Sequence, residues 1–348
     1  MNAPIARVLI TGISGQDGAL LASDLLRSGI EVTGTHRPGH STDAWRLRGL
    51  GIAAHARLRL AALDPTDAAA CADLVATTQP DAVFHLSGQS RVAESFRDPR
   101  ASIQANGLSA VNLLEALRLH APRAHLVLAA SAEIFGAPQS APQNEDTPLA
   151  AQSPYGLSKL LAHAAVGSWR TSYGLRASSA ILFNHESEWR DEAFVTRKLT
   201  RAAARIALGR EEAIVLGNLD ARRDFGYAPD YVAAMAAMAQ SERGDDYVLA
   251  TGVAASVRDF ATAAFAAVGI ALDWSGAGVD EVAVERGNAR VRIRVDPALL
   301  RPFDAPSLIG DATKARVALG FAPSLDLAGL ARRMVEADLA RERAGDRV

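Results

Sequence analysis

The chain has 348 residues, more than one hydrophobic core usually organises, so two lobes are expected with a ligand cleft between them. Apolar residues make up 49% and charged residues 22%, which excludes a disordered chain. With 37 basic against 39 acidic residues the formal net charge is -2, so no overall field favours nucleic acid or an anionic membrane, and an anionic ligand must be held by local positive groups.

The N-terminal run MNAPIARVLITG leads straight into a glycine turn and lacks signal-peptide architecture. No apolar stretch reaches the roughly 18 residues needed to span a bilayer. A single cysteine, Cys71, is expected to be a small core residue: it has no partner for an internal disulfide and no metal-ligand cluster around it. A soluble, cytoplasmic protein without a metal is the expectation.

In chain order, short apolar runs at Arg7 to Ile10, Glu31 to Gly34, Asp81 to Leu86, His125 to Ala130 and Arg176 to Phe183 read as strands. Helix-length segments such as Gly18 to Ser28 and Ala101 to Arg118 lie between them. That alternation predicts an α/β fold, a doubly wound parallel sheet of Rossmann type over residues 1–183. Beyond Phe183 the regularity weakens, and 184–348 reads mainly as a smaller C-terminal substrate-binding lobe, with the Gly217 to Asp220 turn and the glycine-rich Ser275 to Gly287 segment. Segments near 227–270 are expected to return to the first lobe: the helix near Asp230 to Gln240, then the Tyr247 to Ala250 run with its following helix.

Leu9 to Gly18 reads L-I-T-G-I-S-G-Q-D-G, which puts Gly12, Gly15 and Gly18 in a strand-to-helix turn. Glycines permit the tight turn and close backbone approach, and a helix N-terminus stabilises pyrophosphate charge, so the turn predicts dinucleotide binding. The second strand ends near Thr35-His36-Arg37, where an NAD enzyme usually carries an acid; Arg37 instead suits the 2'-phosphate of NADP. Asp64, after the third strand, either accepts from the adenine amine or caps the next helix.

Tyr155 and Lys159 stand at i and i+4 at the start of a helix that follows Ser153-Pro154, so ammonium and phenol share a face. A neighbouring positive charge favours phenolate and makes Tyr155 a usable general base for an alcohol. Only three lysines, Lys159, Lys198 and Lys314, occur against 34 arginines. Arginine therefore serves wherever charge alone is needed, and Lys159 is a candidate for work that a guanidinium does poorly. The fifth strand ends in Ala130-Ser131-Ala132-Glu133, at the sheet edge where open α/β folds bind ligands, so Ser131 and Glu133 join the candidate catalytic group.

These residues carry a resemblance. T-G-I-S-G-Q-D-G, L-S-G-Q-S-R-V-A-E-S-F (86–96), S-A-E-I-F-G (131–136), S-P-Y-G-L-S-K (153–159), I-L-F-N-H-E-S (181–187), F-V-T-R-K (194–198), L-G-N-L-D-A-R-R-D-F-G (216–226), R-V-D-P (294–297) and G-D-A-T-K-A-R (310–316) span nearly the whole chain. The chain resembles the extended short-chain dehydrogenase/reductases and, within them, the GDP-mannose 4,6-dehydratases. The resemblance implies catalytic Ser131 (threonine in the family), Glu133, Tyr155 and Lys159, and NADP contacts at Gly12, Gly15, Gln16, Asp17, Gly18, Arg37, Asp64, Leu86, Gln89, His185 and Arg190, with Tyr155 and Lys159 also touching the cofactor. It implies guanine and diphosphate contacts at Asn184, Val195, Lys198, Asn218, Arg223 and Arg301, with Ser90 also on the substrate side. Departures stand at Arg91 for His, Ala132 for Ser, and Glu188-Trp189 for Pro-Arg.

The implied reaction oxidises C4 of a GDP-sugar, eliminates water across C5 and C6, and returns the hydride to C6. GDP-mannose is the implied substrate. A GDP-heptose dehydratase would share the motifs; a GDP-4-keto-6-deoxy-sugar reductase or epimerase would have less need of Glu133, and a non-catalytic NADP-binding regulator would not need the intact quartet. A homotetramer or homodimer is implied, with the arginine-rich 37–52 loop placed to reach a neighbour.

Overall fold

The structure is a computed structural model that describes residues 4–39, 45–300 and 307–345. The chain divides into two compact units, the first made of Met1–Phe183, Ala228–Leu249 and Gly310–Ala322, the second of Asn184–Tyr227, Ala250–Ile309 and Pro323–Val348.

A seven-stranded sheet organises the first unit. From edge to edge it runs Asp246–Leu249, Arg176–Leu182, His125–Ala129, Ala82–His85, Arg7–Thr11, Glu31–His36 and Leu58–Ala62. Every neighbouring pair is parallel. Central strands such as His125–Ala129 are buried along their whole length, as a sheet covered by helices on both faces requires, whereas the edge strand Leu58–Ala62 is largely open. Strand order reverses beside Arg7–Thr11, between Glu31–His36 and Ala82–His85, and such a switch point is where open α/β sheets hold ligands at the carboxyl ends of their strands.

The expected helix from Ala101 to Arg118 forms without a gap but changes type along its length. Pro99–Ser102 and Ser109–His120 are α-helical, and Ile103–Leu108 between them is a π-helical turn. Cys71 is fully buried, and burial pushes its thiol up to about 12, as suits an inert core residue.

Of the 227–270 stretch expected to return, Ala228–Leu249 belongs to the first unit and Ala250 onward to the second. Helix Val257–Ala266 belongs to the second unit because its Phe260 and Phe265 fill that unit's core with Leu199, Leu330 and Met334. Gly310–Ala322, expected in the second lobe, returns to the first. There Phe321 meets the Tyr231 ring edge-on at 5.4 Å, and Lys314 pairs with Asp245 at 2.8 Å. The second unit also holds two four-stranded sheets. In one, Arg222–Tyr227 pairs with Ala254–Ser256, Ser307–Leu308 and Asn184–Glu186. The other joins Leu272–Ser275, Val282–Glu285, Val291–Val295 and Ile214–Leu216, so the glycine-rich 275–287 segment is mainly a hairpin connection, with the 3-10 turn Gly278–Asp280 leading into the strand Val282–Glu285.

Candidate functional site

The glycine turn closes the strand Arg7–Thr11 and opens the helix Gln16–Arg27. Gly12 has a φ of +78°, and a Cβ there would lie 2.8 Å from the backbone of Ser87 at the end of the neighbouring strand. At Gly18 a Cβ would lie 2.4 Å from the Gly12 carbonyl oxygen. Both positions thus demand glycine, one for conformation and one for close helix packing. The Gly15 amide donates to the Gly12 carbonyl at 3.0 Å, and the helix begins at Gly15 with no side-chain cap. A helix N-terminus framed by bare backbone is the geometry a pyrophosphate needs, so these residues fit a dinucleotide.

Beneath the turn lies a buried chain of hydrogen bonds. Ser87 Oγ donates to Thr11 Oγ1 at 3.0 Å, Thr11 Oγ1 meets His85 Nδ1 at 2.8 Å, and His85 Nε2 meets Ser109 Oγ at 3.0 Å. Burial, helped by the positive Lys159, holds the His85 imidazolium pKa down to about 3, so the ring is neutral and passes hydrogen bonds from the turn to the helix Ser109–His120.

Arg37 is exposed beyond the second strand. Asp64 sits within its electrostatic reach and is held below the usual carboxylate range by hydrogen bonds from Thr66, backbone and side chain, with a smaller contribution from Arg37. Of the two roles open to Asp64, capping the next helix falls to Asp67, whose carboxylate accepts from the Ala70 amide at 3.1 Å. Residues 40–44 of the arginine-rich loop lie outside the described residues. Arg46 beyond them is buried, donates to the Ser14 carbonyl at 3.0 Å and stacks 4.5 Å from the Trp45 ring centroid, bracing the glycine turn from outside.

The helix Pro154–Tyr173 starts where Ser153 accepts from the Gly156 amide at 2.9 Å, with Pro154 in the first turn. Tyr155 is buried, and Lys159 Nζ lies 6.0 Å from its ring centroid. Lys159 Nζ donates to the Ala129 carbonyl at 2.8 Å, tying the helix to the end of the strand His125–Ala129. Desolvation depresses the Lys159 ammonium to about 8, opposed by the charge of Asp17 in the first turn after the glycines. Ser131 caps the turn Ala132–Phe135, its Oγ accepting from the Glu133 amide at 3.3 Å. A Cβ at Gly156 would lie 2.6 Å from the Glu133 carbonyl oxygen, so glycine lets the helix start press against the turn that carries Glu133. Ser131, Glu133, Tyr155 and Lys159 are thereby gathered at one strand end.

Asn106 is a candidate site residue that sequence reading missed. It is buried in the π-helical turn, where its Nδ2 donates to the Gln89 carbonyl at 3.0 Å and to Ser158 Oγ at 2.8 Å, while its Oδ1 accepts from the Gln89 amide at 2.9 Å. Ser158 in turn donates to the Tyr155 carbonyl at 2.7 Å. Asn106 thus links the 86–90 segment, which carries Leu86, Gln89 and the exposed Ser90, to the Tyr155/Lys159 helix. The sequence signal was the Asn106-Gly107 pair, two poor helix formers inside a helix-length segment.

In the second unit, Asn184 and the buried His185 lie on the strand Asn184–Glu186. Arg190 pairs with Glu186 at 3.0 Å and stacks 3.6 Å from the Phe194 ring centroid. Val195 opens the helix Val195–Ala207, on which Lys198 Nζ donates to the Val215 carbonyl at 2.6 Å. Asn218 is exposed in a turn, its Oδ1 accepting from the Asp220 amide at 3.0 Å. Arg223 is buried on the strand Arg222–Tyr227 and donates to the Arg222 carbonyl at 2.8 Å. Arg301 lies outside the described residues. No group of three or more His, Cys, Asp or Glu among the described residues is placed to hold a metal ion, and no helix there is long and apolar enough to cross a membrane.

A family model described as GDP-mannose 4,6 dehydratase matches residues 9–334. The chain belongs to the GDP-mannose 4,6-dehydratase family. A GDP-mannose 4,6-dehydratase of Sinorhizobium fredii is 43% identical, the match covering 95% of this chain and 96% of that protein. For the Homo sapiens GDP-mannose 4,6 dehydratase the figures are 38%, 97% and 93%. Among solved structures, a UDP-glucose 4-epimerase of Thermus thermophilus in complex with NAD has a TM-score of 0.78 at 25% identity, covering 95% of this chain and 98% of that one. The Pseudomonas aeruginosa protein RMD, complexed with NADPH, superposes with a TM-score of 0.75 at 23% identity, covering 97% and 99%, and shows the shared fold.

The four residues read from sequence as departures, Arg91, Ala132, Glu188 and Trp189, have the following surroundings. Ala132 is buried in the turn after Ser131, and Arg91 precedes the short helix Val92–Arg97. Glu188 pairs with Arg333 at 3.1 Å and lies 3.5 Å from the Tyr227 hydroxyl, and the Trp189 ring packs 5.0 Å from the Arg341 guanidinium. Burial and the Glu188 charge push the Tyr227 phenol up to about 12, so it stays protonated as a donor.

Proposed function

We propose that the protein is a GDP-mannose 4,6-dehydratase that converts GDP-mannose to GDP-4-keto-6-deoxymannose and water, with NADP as its resident cofactor. The observation that carries this reading is the joining of a Tyr155/Lys159 helix to a Ser131/Glu133 turn at the carboxyl end of one strand, in a chain of this family. A simple alcohol oxidation needs one base; elimination needs a second acid/base, and Glu133 supplies it.

Gly12, Gly15, Gln16, Asp17 and Gly18 would hold the cofactor pyrophosphate, Arg37 its 2'-phosphate and Asp64 its adenine, with Leu86, Gln89, His185 and Arg190 around the rest. The bound nicotinamide supplies a hydride acceptor for C4 and later a donor for C6. Tyr155 takes the C4 hydroxyl proton, and the Lys159 ammonium favours the phenolate it needs. Ser131 hydrogen-bonds the reacting oxygen at C4. Once C4 is a ketone the C5 proton is acidified; Glu133 removes it and delivers a proton to the departing C6 hydroxyl, which leaves as water, and C5 takes up a solvent-derived proton as the hydride returns to C6. Asn184, Val195, Lys198, Asn218, Arg223 and Arg301, with Ser90, would hold the GDP-sugar. A cytoplasmic homodimer or homotetramer is our reading of the assembly, which light scattering checks.

Incubation with GDP-mannose in heavy water, without added reductant, tests the reaction. A 4-keto-6-deoxy product carrying deuterium at C5 is expected. A requirement for stoichiometric reduced cofactor would overturn the reading in favour of a reductase. Glu133→Gln should stop water loss; unchanged product formation would remove its role.

A further inference from the structure

Arg197 is the largest fully buried side chain of the described residues, 1% exposed, and the proposed reaction makes no use of it. Its guanidinium is divided between two tasks. Nε and Nη2 face the buried Asp338 carboxylate at 3.0 and 2.7 Å, while Nη1 donates to the carbonyl oxygens of Glu188 at 3.0 Å and Arg190 at 2.9 Å. Asp338 is further held by the Thr200 hydroxyl at 2.7 Å. A second guanidinium, Arg341, donates to the same Glu188 carbonyl at 2.8 Å and packs on Trp189, while Arg333 holds the Glu188 carboxylate. Two residues of the helix Leu327–Ala344, Arg333 and Arg341, thus grip the backbone and side chains of the Glu188-Trp189 pair, and a third, Asp338, acts on it through Arg197.

A bare fold contact would not need this arrangement. Burying two charges is costly, and an apolar pair of similar volume would fill the space at least as well. What the pair provides is a fork with fixed geometry: carboxylate on one side, two backbone oxygens on the other. Those oxygens belong to the turn between Asn184-His185 and Val195-Lys198, so the fork sets the register between the strand and the helix that present these side chains.

We infer that Arg197, oriented by Asp338 and assisted by Arg341, is a positioning residue for the nucleotide-sugar contacts of the second unit. The inference rests on the proposed role of Asn184, Val195 and Lys198 in holding GDP. Asp338→Asn keeps the shape but loses the charge that aims the fork; Arg341→Met keeps the Arg197–Asp338 pair and removes one of the two donors on the Glu188 carbonyl. Calorimetric titration with GDP and, separately, with 2',5'-ADP reads the effect, together with kcat and KM for GDP-mannose.

Displacement of a positioned group by about 1 Å can cost up to about 100-fold, so we expect the GDP dissociation constant and the GDP-mannose KM to rise about tenfold in Asp338→Asn and less in Arg341→Met, with binding of 2',5'-ADP, whose adenine and 2'-phosphate Asp64 and Arg37 would hold, unchanged. Arg341→Lys, which keeps a donor for the carbonyl, should recover most of the Arg341→Met loss. Unchanged GDP affinity in a folded variant overturns the inference, as does a parallel fall in GDP and 2',5'-ADP binding, which would mark a merely structural role. If Asp338→Asn does not fold, the Arg341 pair decides in the same terms. Failure of the unsubstituted protein to bind GDP would instead remove the proposed function on which the inference rests.

Discussion

Replacing Lys159 by methionine should make the protein's stability less dependent on alkaline pH. Lys159 is buried, and its folded ammonium loses its proton near 8 rather than at the ordinary 10.5, because burial penalises the charge more than Asp17 relieves it. Between these values the unfolded chain binds the additional proton, so the stability of the unsubstituted protein rises with pH across that window and carries the whole penalty below it. The depression corresponds to about 3 kcal/mol. Lys159→Met removes the penalty but strands the Ala129 carbonyl, which costs about 1–3 kcal/mol at any pH. The net change near pH 7 is therefore small, while the stability difference between the two proteins should shift by about 3 kcal/mol between pH 7 and pH 10.5. Urea unfolding of both proteins at a series of pH values measures it, and other titrating groups cancel in the difference. A difference that stays constant to within about 0.5 kcal/mol would refute the claim that burial strains this ammonium. Loss of turnover in the same variant would show a charge kept for chemistry at the expense of stability.

Other perturbations separate the remaining parts of the site. His85 has a folded pKa near 3, so the unfolded chain binds the extra proton between that value and the ordinary 6.5, and stability should fall as pH drops through this range. His85→Gln should abolish a share of about 2 kcal/mol between pH 6.5 and 5, and an unaltered acid unfolding profile would show that the ring is not a buried neutral imidazole. Gly12→Ala places a methyl against the Ser87 backbone in a left-handed conformation, and fluorescence titration should show nicotinamide cofactor binding weakened at least about tenfold; undiminished affinity would mean that the turn is not the pyrophosphate cradle. Arg37→Ala should weaken NADP by about 10–100-fold and leave NAD nearly untouched, since only the charged hydrogen bond to a 2'-phosphate is lost. Equal losses for both cofactors would remove the proposed selectivity.

Legibility from sequence followed how local the cause is. Alternating apolar runs set the parallel sheet, because strands covered on both faces must be apolar throughout, and the runs at 7–10, 31–34, 81–86, 125–130 and 176–183 each overlap one of its strands. Tyr155, Lys159 and the glycine turn were readable because their spacing is itself the geometry. Long-range packing was not. The helix Val257–Ala266 and the segment Gly310–Ala322 are apolar in ways that suit either unit, and only partners distant in sequence decide between them. Asn106, His85 and Arg197 were invisible for the same reason: each matters through hydrogen bonds to residues distant in the chain, including Ser158, Thr11 and Asp338 respectively.

The π-helical turn at Ile103–Leu108 has a consequence for how the chain can vary. A π-turn is an α-helix carrying a surplus residue, and one residue is about 100° of helical phase. Everything downstream, from Ser109 to His120, is therefore rotated relative to Pro99–Ser102, which sends Asn106 inward and leaves Leu108 facing solvent. Deleting one residue here would give a more regular helix while turning Asn106 away from Gln89 and Ser158. Helix formation and site formation thus ask for different residue counts, and shortening this stretch should raise local order as it uncouples the 86–90 segment from the Tyr155 helix.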